Sequence, residues 1–153
     1  MTALLTEQYC TFTVADLHLG VRVQDVQEVL RHQEMSSAPA APGAVRGLLN
    51  LRGQIVTAID LRHRLGLPPR PDTGDGAMNV VIRSRGEIVS LLVDDIGEVI
   101  DTEGVPVEAV PATVPAAVRD AVTGVLALPD HILLVLDAVR AGDVSPPTPG
   151  EDR

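Results

Sequence analysis

A chain of 153 residues is long enough for one domain, or for two small lobes that share a core. Its formal charge of −9 disfavours nucleic acid and anionic membrane surfaces as partners, because both would repel it. Cys10 is the only cysteine, which excludes an internal disulfide, and no apolar run is long enough for a membrane span, so we expect a soluble cytoplasmic protein.

The first predicted elements are two strands near the start of the chain. Apolar and polar residues alternate over Gln8–Val14, which predicts a strand with Cys10 and Phe12 on one face. Cys10 is therefore expected to be a small core residue rather than a nucleophile. A second strand is predicted over Leu19–Val23, and the apolar spacing of Asp25–Leu30 predicts a short helix.

Aliphatic and β-branched residues predict a tight hairpin in the middle of the chain. Its strands are Val45–Leu51 and Gln54–Ile59, and its turn is Arg52-Gly53, where glycine adopts a positive φ without a steric clash. Asp60 is the predicted N-cap of a short helix, and Gly66 is its predicted end.

Two polar side chains and a glycine interrupt this hairpin, and they permit two interpretations. In the first, Arg52 is a solvated turn residue and Gly47 marks a bulge. In the second, the hairpin recognises a partner, which approaches at Gly47 and meets the forked donors of the Arg52 guanidinium, close to Asn50. Residue spacing alone leaves both interpretations open.

The C-terminal part predicts a second group of short strands, after a breaker-rich loop at Pro68–Gly76. Strands are predicted over Asn79–Ser84, Glu87–Val93, Val107–Val110, Val122–Leu128 and Ile132–Leu136, with helical turns over Pro115–Ala121 and Asp137–Ala141. Short strands at such close spacing are typical of β-barrels. Residues 1–7 are expected to form a flexible N-terminus, and residues 142–153 a disordered tail.

The sequence lacks the motifs that carry catalytic chemistry. It contains no phosphate-binding loop, no nucleophile elbow, no zinc-binding helix motif and no cysteine cluster. The four histidines have no local ligand spacing, so ordinary surface or turn positions are expected for them. Asp94 and Asp95 are adjacent, and on a strand they would point to opposite faces instead of sharing a proton. No enzymatic activity, metal or cofactor is expected.

The central hairpin carries a long and specific motif. The run GLLNLRGQIVTAIDLRHRLGL resembles the signature of the CheW family of bacterial chemotaxis coupling proteins, with Thr57-Ala58 where that family has a proline before its last hydrophobic pair. The tetrad VQEV at Val26–Val29, the segment Asp94–Ile100 and the ending GVLALPDHILLVLDAVR also match. Asp95 departs from the pattern, because the family has glycine there. The resemblance extends over roughly residues 8–140.

This resemblance implies a mainly β fold of two intertwined SH3-like five-stranded β-barrels with short helices, which covers residues 8–141 as one CheW-like domain with two lobes. The implied function is a non-catalytic adaptor that couples chemoreceptors (methyl-accepting chemotaxis proteins) to a CheA-type histidine kinase. The implied partners are the regulatory domain of that kinase and the cytoplasmic tip of the receptors, with no nucleic acid, no membrane insertion and no cofactor.

Two alternative functions stay open at this point. One is a CheW-like adaptor of a non-flagellar chemosensory pathway, such as pili-based motility. The other is an SH3-like barrel that binds a small anionic ligand or nucleic acid through its arginines, which a charge of −9 disfavours for nucleic acid.

Carried over residue by residue, the resemblance also implies a partner-binding surface. The positions implied to face the receptor, around a groove between the barrels, are Val26, Glu28, Gly47, Arg52 and Val99. Val80 is implied as a further hydrophobic contact, and Asn50, Leu51 and Gly53 complete the hairpin associated with kinase docking. Periodicity alone predicts that Glu28 is a solvated charge instead of a partner contact. It also predicts that Val80 and Val99 are core residues, because their positions follow the alternation expected of buried strand residues.

Overall fold

A computed structural model describes residues 8–31, 33–36, 43–69, 77–102 and 105–143. Its strands are β1 (Gln8–Val14), β2 (Leu17–Arg22), β3 (Val26–Leu30), β4 (Val45–Leu51), β5 (Gln54–Asp60), β6 (Met78–Ser84), β7 (Glu87–Val93), β8 (Asp95–Asp101), β9 (Val122–Ala127) and β10 (Ile132–Leu136). Its α-helices are α1 (Leu61–Arg64), α2 (Ala116–Arg119) and α3 (Ala138–Gly142), and a 3₁₀ turn covers Val23–Asp25. Within these ranges, every helix is too short to cross a membrane.

Several expectations concern parts of the chain that lie outside these ranges. They are the flexible N-terminus at residues 1–7, residues 70–76 of the predicted loop and residues 144–153 of the predicted tail. The tail begins later than the predicted residue 142, because Gly142 belongs to α3.

The strands form two five-stranded sheets, which confirms the mainly β prediction. Sheet 1 has the order β8-β1-β2-β10-β9, and sheet 2 has the order β3-β6-β7-β5-β4. Sheet 1 takes strands from both ends of the chain and sheet 2 takes them from the middle, so the two are intertwined. Continuous ladders do not close either sheet into a barrel within the described residues. Single bridges span the gaps instead, Ser36–Leu48 in sheet 2 and Glu108–Val125 in sheet 1.

Both sheets repeat one pattern of strand pairing. Val26–Leu30 (VQEVL) on an edge of sheet 2 corresponds to Ile96–Ile100 (IGEVI) on an edge of sheet 1, and both ladders are irregular at the same point. Val45–Leu49 (VRGLL) corresponds in the same way to Val122–Leu126 (VTGVL). The fold is therefore an internal structural repeat whose equivalent positions can be compared directly.

The predicted helix cap at Asp60 is confirmed, and Asp137 forms the equivalent cap in the other half of this repeat. The side chain of Asp60 accepts a hydrogen bond from the Arg62 amide at 3.0 Å, at the start of α1. Asp137 accepts from the amides of Val139 and Arg140 at 2.9 and 3.1 Å, at the start of α3. Each cap satisfies amides that have no partner inside the helix.

Apolar residues from both sheets pack into one shared core, which holds the two halves together. Phe12 and Leu19 of sheet 1 lie in this core with Ile82 and Leu91 of sheet 2. Cys10 is a buried member, as predicted, and burial raises the pKa of its thiol. The thiol therefore stays protonated at neutral pH and serves as a packing group.

Two predicted elements are wrong. Asp25–Leu30 is not a helix, because the chain leaves the 3₁₀ turn at Asp25 and continues as β3, which pairs with β6. Its apolar residues fit a short helix as well as a strand, and pairing with a distant strand decides between the two. Val107–Val110 is not a strand either, since only Glu108 makes a bridge there.

Candidate partner-binding surface

The turn of the central hairpin is fixed by its own hydrogen bond. Arg52 and Gly53 both have positive φ, +53° and +83°, as a two-residue hairpin turn with the right-handed strand twist requires. The side-chain oxygen of Asn50 accepts a hydrogen bond from the Gly53 amide at 3.0 Å. Asn50 thus stabilises the turn, and the turn leaves 75% of the Arg52 side chain exposed.

Arg52 forms an ion pair with Glu28, which lies on the opposite edge of sheet 2. The donor is Nη1 of Arg52, and the Glu28 side chain is only 18% exposed. β3 and β4 are the two edges of this sheet, so the ion pair spans the gap that the ladders leave open. A guanidinium has five N–H donors, and the remaining ones are available to a partner.

Gly47 admits the chain's own backbone, not a partner. A Cβ atom at this position would lie 2.5 Å from the Ser36 carbonyl oxygen and 3.2 Å from the Cβ of Met35. Ser36 and Leu48 exchange backbone hydrogen bonds of 2.7 and 2.8 Å beside it. The first interpretation, in which Gly47 marks a bulge, is confirmed by the register shift between Val45 and Gly47. The second is corrected: the missing side chain admits the segment after β3, which bridges the gap in sheet 2.

Three other predicted site residues pack inward. Val80 has no exposed surface, because β6 lies between β3 and β7 and its side chain enters the shared core. The implied role of Val80 in partner contact is therefore wrong. Val26 is partly buried against the shared core, and Leu51 packs against a smaller cluster of sheet 2 around Leu49 and Val56. Val26 and Leu51 therefore pack against the interior and support the exposed residues of β3 and of the central hairpin.

Two exposed aliphatic side chains lie on the elements that carry this pair. Ile55 stands opposite Asn50 in the hairpin and is 64% exposed, and Val29 is 38% exposed on β3 next to Glu28. Sequence reasoning missed Ile55, although it alternates with the buried Val56. We call the set Glu28, Val29, Asn50, Arg52 and Ile55 the hairpin-tip surface.

Val99 does not lie on the same sheet as the other predicted site residues. It belongs to β8, an edge strand of sheet 1, and is 56% exposed. The repeat makes it the equivalent of Val29. Its exposure agrees with a surface role and not with the core alternation that periodicity suggests.

Titratable groups elsewhere on sheet 1 do not form a metal site. The rings of His18 and His131 lie 4.3 Å apart, and Nδ1 of His131 is 2.8 Å from the Asp130 carboxylate. This hydrogen bond lowers the pKa of Asp130. Among the residues that the structure describes, no group of three or more His, Cys, Asp or Glu side chains could hold a metal ion.

Known proteins are similar to this chain over most of its length. The model of the CheW-like domain matches residues 8–142. The chain is 25% identical to the probable chemotaxis protein CheW of Rhizobium etli, over 82% of this chain and 81% of that protein. It is 26% identical to the chemotaxis protein CheW of Treponema pallidum, over 85% of this chain and 78% of that protein. The crystal structure of the scaffolding protein TtCheW from Thermoanaerobacter tengcongensis matches with a TM-score of 0.80 at 25% identity, and the match covers 92% and 90% of the two chains.

Proposed function

The chain belongs to the CheW-like domain family, and from this premise we propose that it joins the cytoplasmic tips of chemoreceptors to the regulatory domain of a CheA-type histidine kinase. It is a coupling adaptor of chemotaxis signalling and not an enzyme. Such a role requires binding surfaces without reactive groups. We propose that it acts in the cytoplasm, where both partners present their binding surfaces.

The observation that carries this proposal is the composition of the hairpin-tip surface. Arg52 offers unused charged donors, while Glu28 and the Asn50 hydrogen bond hold it at a defined position. Ile55 adds exposed apolar area on the hairpin, and Val29 adds exposed apolar area on β3. Arginine and exposed apolar area are features of the surfaces that dominate protein–protein binding.

We expect the protein to bind the kinase regulatory domain with micromolar affinity and a negative heat-capacity change. An interface of about 600–800 Å² per partner supports affinity of this order, and burial of apolar area gives the sign of the heat capacity. Isothermal titration calorimetry at several temperatures measures both quantities. The proposal fails if two folded proteins show no binding at high micromolar concentrations.

A matched pair of variants tests where the interface lies. Ile55→Ser removes apolar area from the hairpin-tip surface, and Ile132→Ser removes it from the equivalent, similarly exposed position of sheet 1. We expect Ile55→Ser to weaken kinase binding at least tenfold and Ile132→Ser to change it less than twofold. Equal losses would show that the interface is not centred on the hairpin tip.

A further inference from the structure

A cavity of about 420 Å³ opens between the two sheets, and none of its lining residues belongs to the hairpin-tip surface. Arg22, Arg83 and Thr123 contribute polar groups, and Val107 and Val139 contribute exposed aliphatic ones. A mixed lining and a volume of this size are typical of sites for small molecules.

The charges in this cavity are unequally satisfied. Asp25 accepts a hydrogen bond from Nε of Arg22 at 3.3 Å, and Asp137 caps α3. Both carboxylates therefore already have donors. Arg83, in contrast, has no hydrogen-bond or ion-pair partner anywhere in the described part of the chain, so its guanidinium presents free donors to the cavity.

In the other half of the repeat, the place equivalent to the cavity is occupied by a buried ion pair. Arg62 follows the cap of α1 by two residues and donates to both oxygens of Asp94, from Nε at 3.1 Å and from Nη2 at 2.7 Å. Both side chains are largely buried. The hydrogen bond with Asp94 raises the pKa of Arg62, so the guanidinium stays charged. The chain thus supplies its own carboxylate to its own arginine there.

This ion pair is missing in the half that contains the cavity. Val139 follows the cap of α3 by two residues and takes the place of Arg62, and Gln24 takes the place of Asp94. Arg83 on β6 is equivalent to Thr13 on β1. It lines the cavity, which lies where the other half of the repeat has its buried ion pair. The half that contains the cavity therefore has an arginine, Arg83, but no carboxylate at the position equivalent to Asp94.

We propose that the cavity binds a small organic carboxylate, with the carboxylate group on Arg83 and Arg22 and an aliphatic part against Val107 and Val139. Guanidinium groups match carboxylates in geometry and charge. The net charge of −9 repels a large acidic macromolecule. A small anion in the cavity can still bind the arginine donors that Asp25 and Asp137 leave unused, because those two carboxylates are already satisfied by other donors. A small molecule therefore fits the site better than an acidic protein.

Titration with 3-methylbutanoate, followed by the amide NMR signals of the ¹⁵N-labelled protein, tests this proposal. We expect saturable shifts at Thr123 and Val107 with millimolar affinity. Acetate lacks the aliphatic part and should bind at least tenfold more weakly, and 3-methylbutan-1-ol lacks the charge and should not bind. Equal response to the acid and the alcohol, or shifts that do not saturate, would overturn the proposal.

Variants identify the site. Arg83→Leu should weaken 3-methylbutanoate binding at least tenfold, and Arg119→Leu, an exposed arginine outside the cavity, should leave binding unchanged. The double variant Gln24→Asp with Val139→Arg rebuilds the ion pair of the other half, and it should abolish binding while the NMR spectrum stays that of a folded protein. Undiminished binding in Arg83→Leu or in the folded double variant would refute the site.

Discussion

Arg52→Ala is expected to weaken assembly of the receptor–kinase complex about thirtyfold and to leave folding almost unchanged. Truncation of an arginine at the centre of an interface costs about 2 kcal/mol or more of binding, which corresponds to about thirtyfold in affinity. Its side chain is 75% exposed, and the free energy of unfolding should therefore change by no more than about 0.5 kcal/mol, the usual range for surface positions. Affinity measurement and urea denaturation of the same preparation separate the two effects.

The chain offers a close control for this substitution. Arg85-Gly86 forms another two-residue turn in sheet 2, and Arg85 has the same φ of +53° as Arg52. Arg85→Ala therefore places alanine at the same positive φ as Arg52→Ala does, but it removes no ion pair. We expect it to leave binding unchanged. Arg52→Lys keeps the charge, loses the planar fork and should also weaken binding. Intact assembly by Arg52→Ala would return Arg52 to a solvated turn residue, and a large loss of stability would make it structural.

Gly47→Ala is expected to lower the free energy of unfolding by about 2 kcal/mol, within the range of overpacked sites. The added Cβ would lie 2.5 Å from the Ser36 carbonyl oxygen, which accepts a hydrogen bond from the Leu48 amide. The Ser36 amide donates a second one to the Leu48 carbonyl, so the Ser36 backbone gives way only if sheet 2 opens. Chemical denaturation measures the change.

Gly86→Ala is the control for this second substitution. Unlike Gly47, Gly86 has a positive φ, +79°, and a Cβ there meets no atom within 4 Å, so only backbone strain of about 1 kcal/mol is expected. If Gly47→Ala kept full stability and lost only partner binding, Gly47 would be a partner contact and the closure that we describe would be wrong.

Local patterns predicted the hairpins, their turns and the Asp60 helix cap well. Val45–Leu51, the Arg52-Gly53 turn and the Asp60 cap depend on neighbouring residues only, and strand alternation or capping chemistry is visible in the sequence. The overall fold class followed from a long motif near the same hairpin. Predictions of this kind succeed because their physical causes lie within a few residues.

Features that depend on distant contacts were not predictable in this way. β3 is a strand because β6 pairs with it, about fifty residues further along the chain. The position of Val80 inside a sheet buries a side chain that the motif comparison implied to be a contact. The ion pair between Arg52 and Glu28 joins two edges of one sheet, and no local pattern indicates that these edges meet.

The central claim is that this protein connects receptor and kinase, and co-sedimentation with receptor-containing vesicles tests it most directly. Vesicles that carry a chemoreceptor are mixed with the CheA-type kinase, with or without this protein, and the kinase in the pellet is quantified. We expect the kinase to pellet with the vesicles only when the wild-type protein is present, and Arg52→Ala to reduce that amount strongly. Equal amounts of kinase in the pellet with and without this protein would contradict the coupling function.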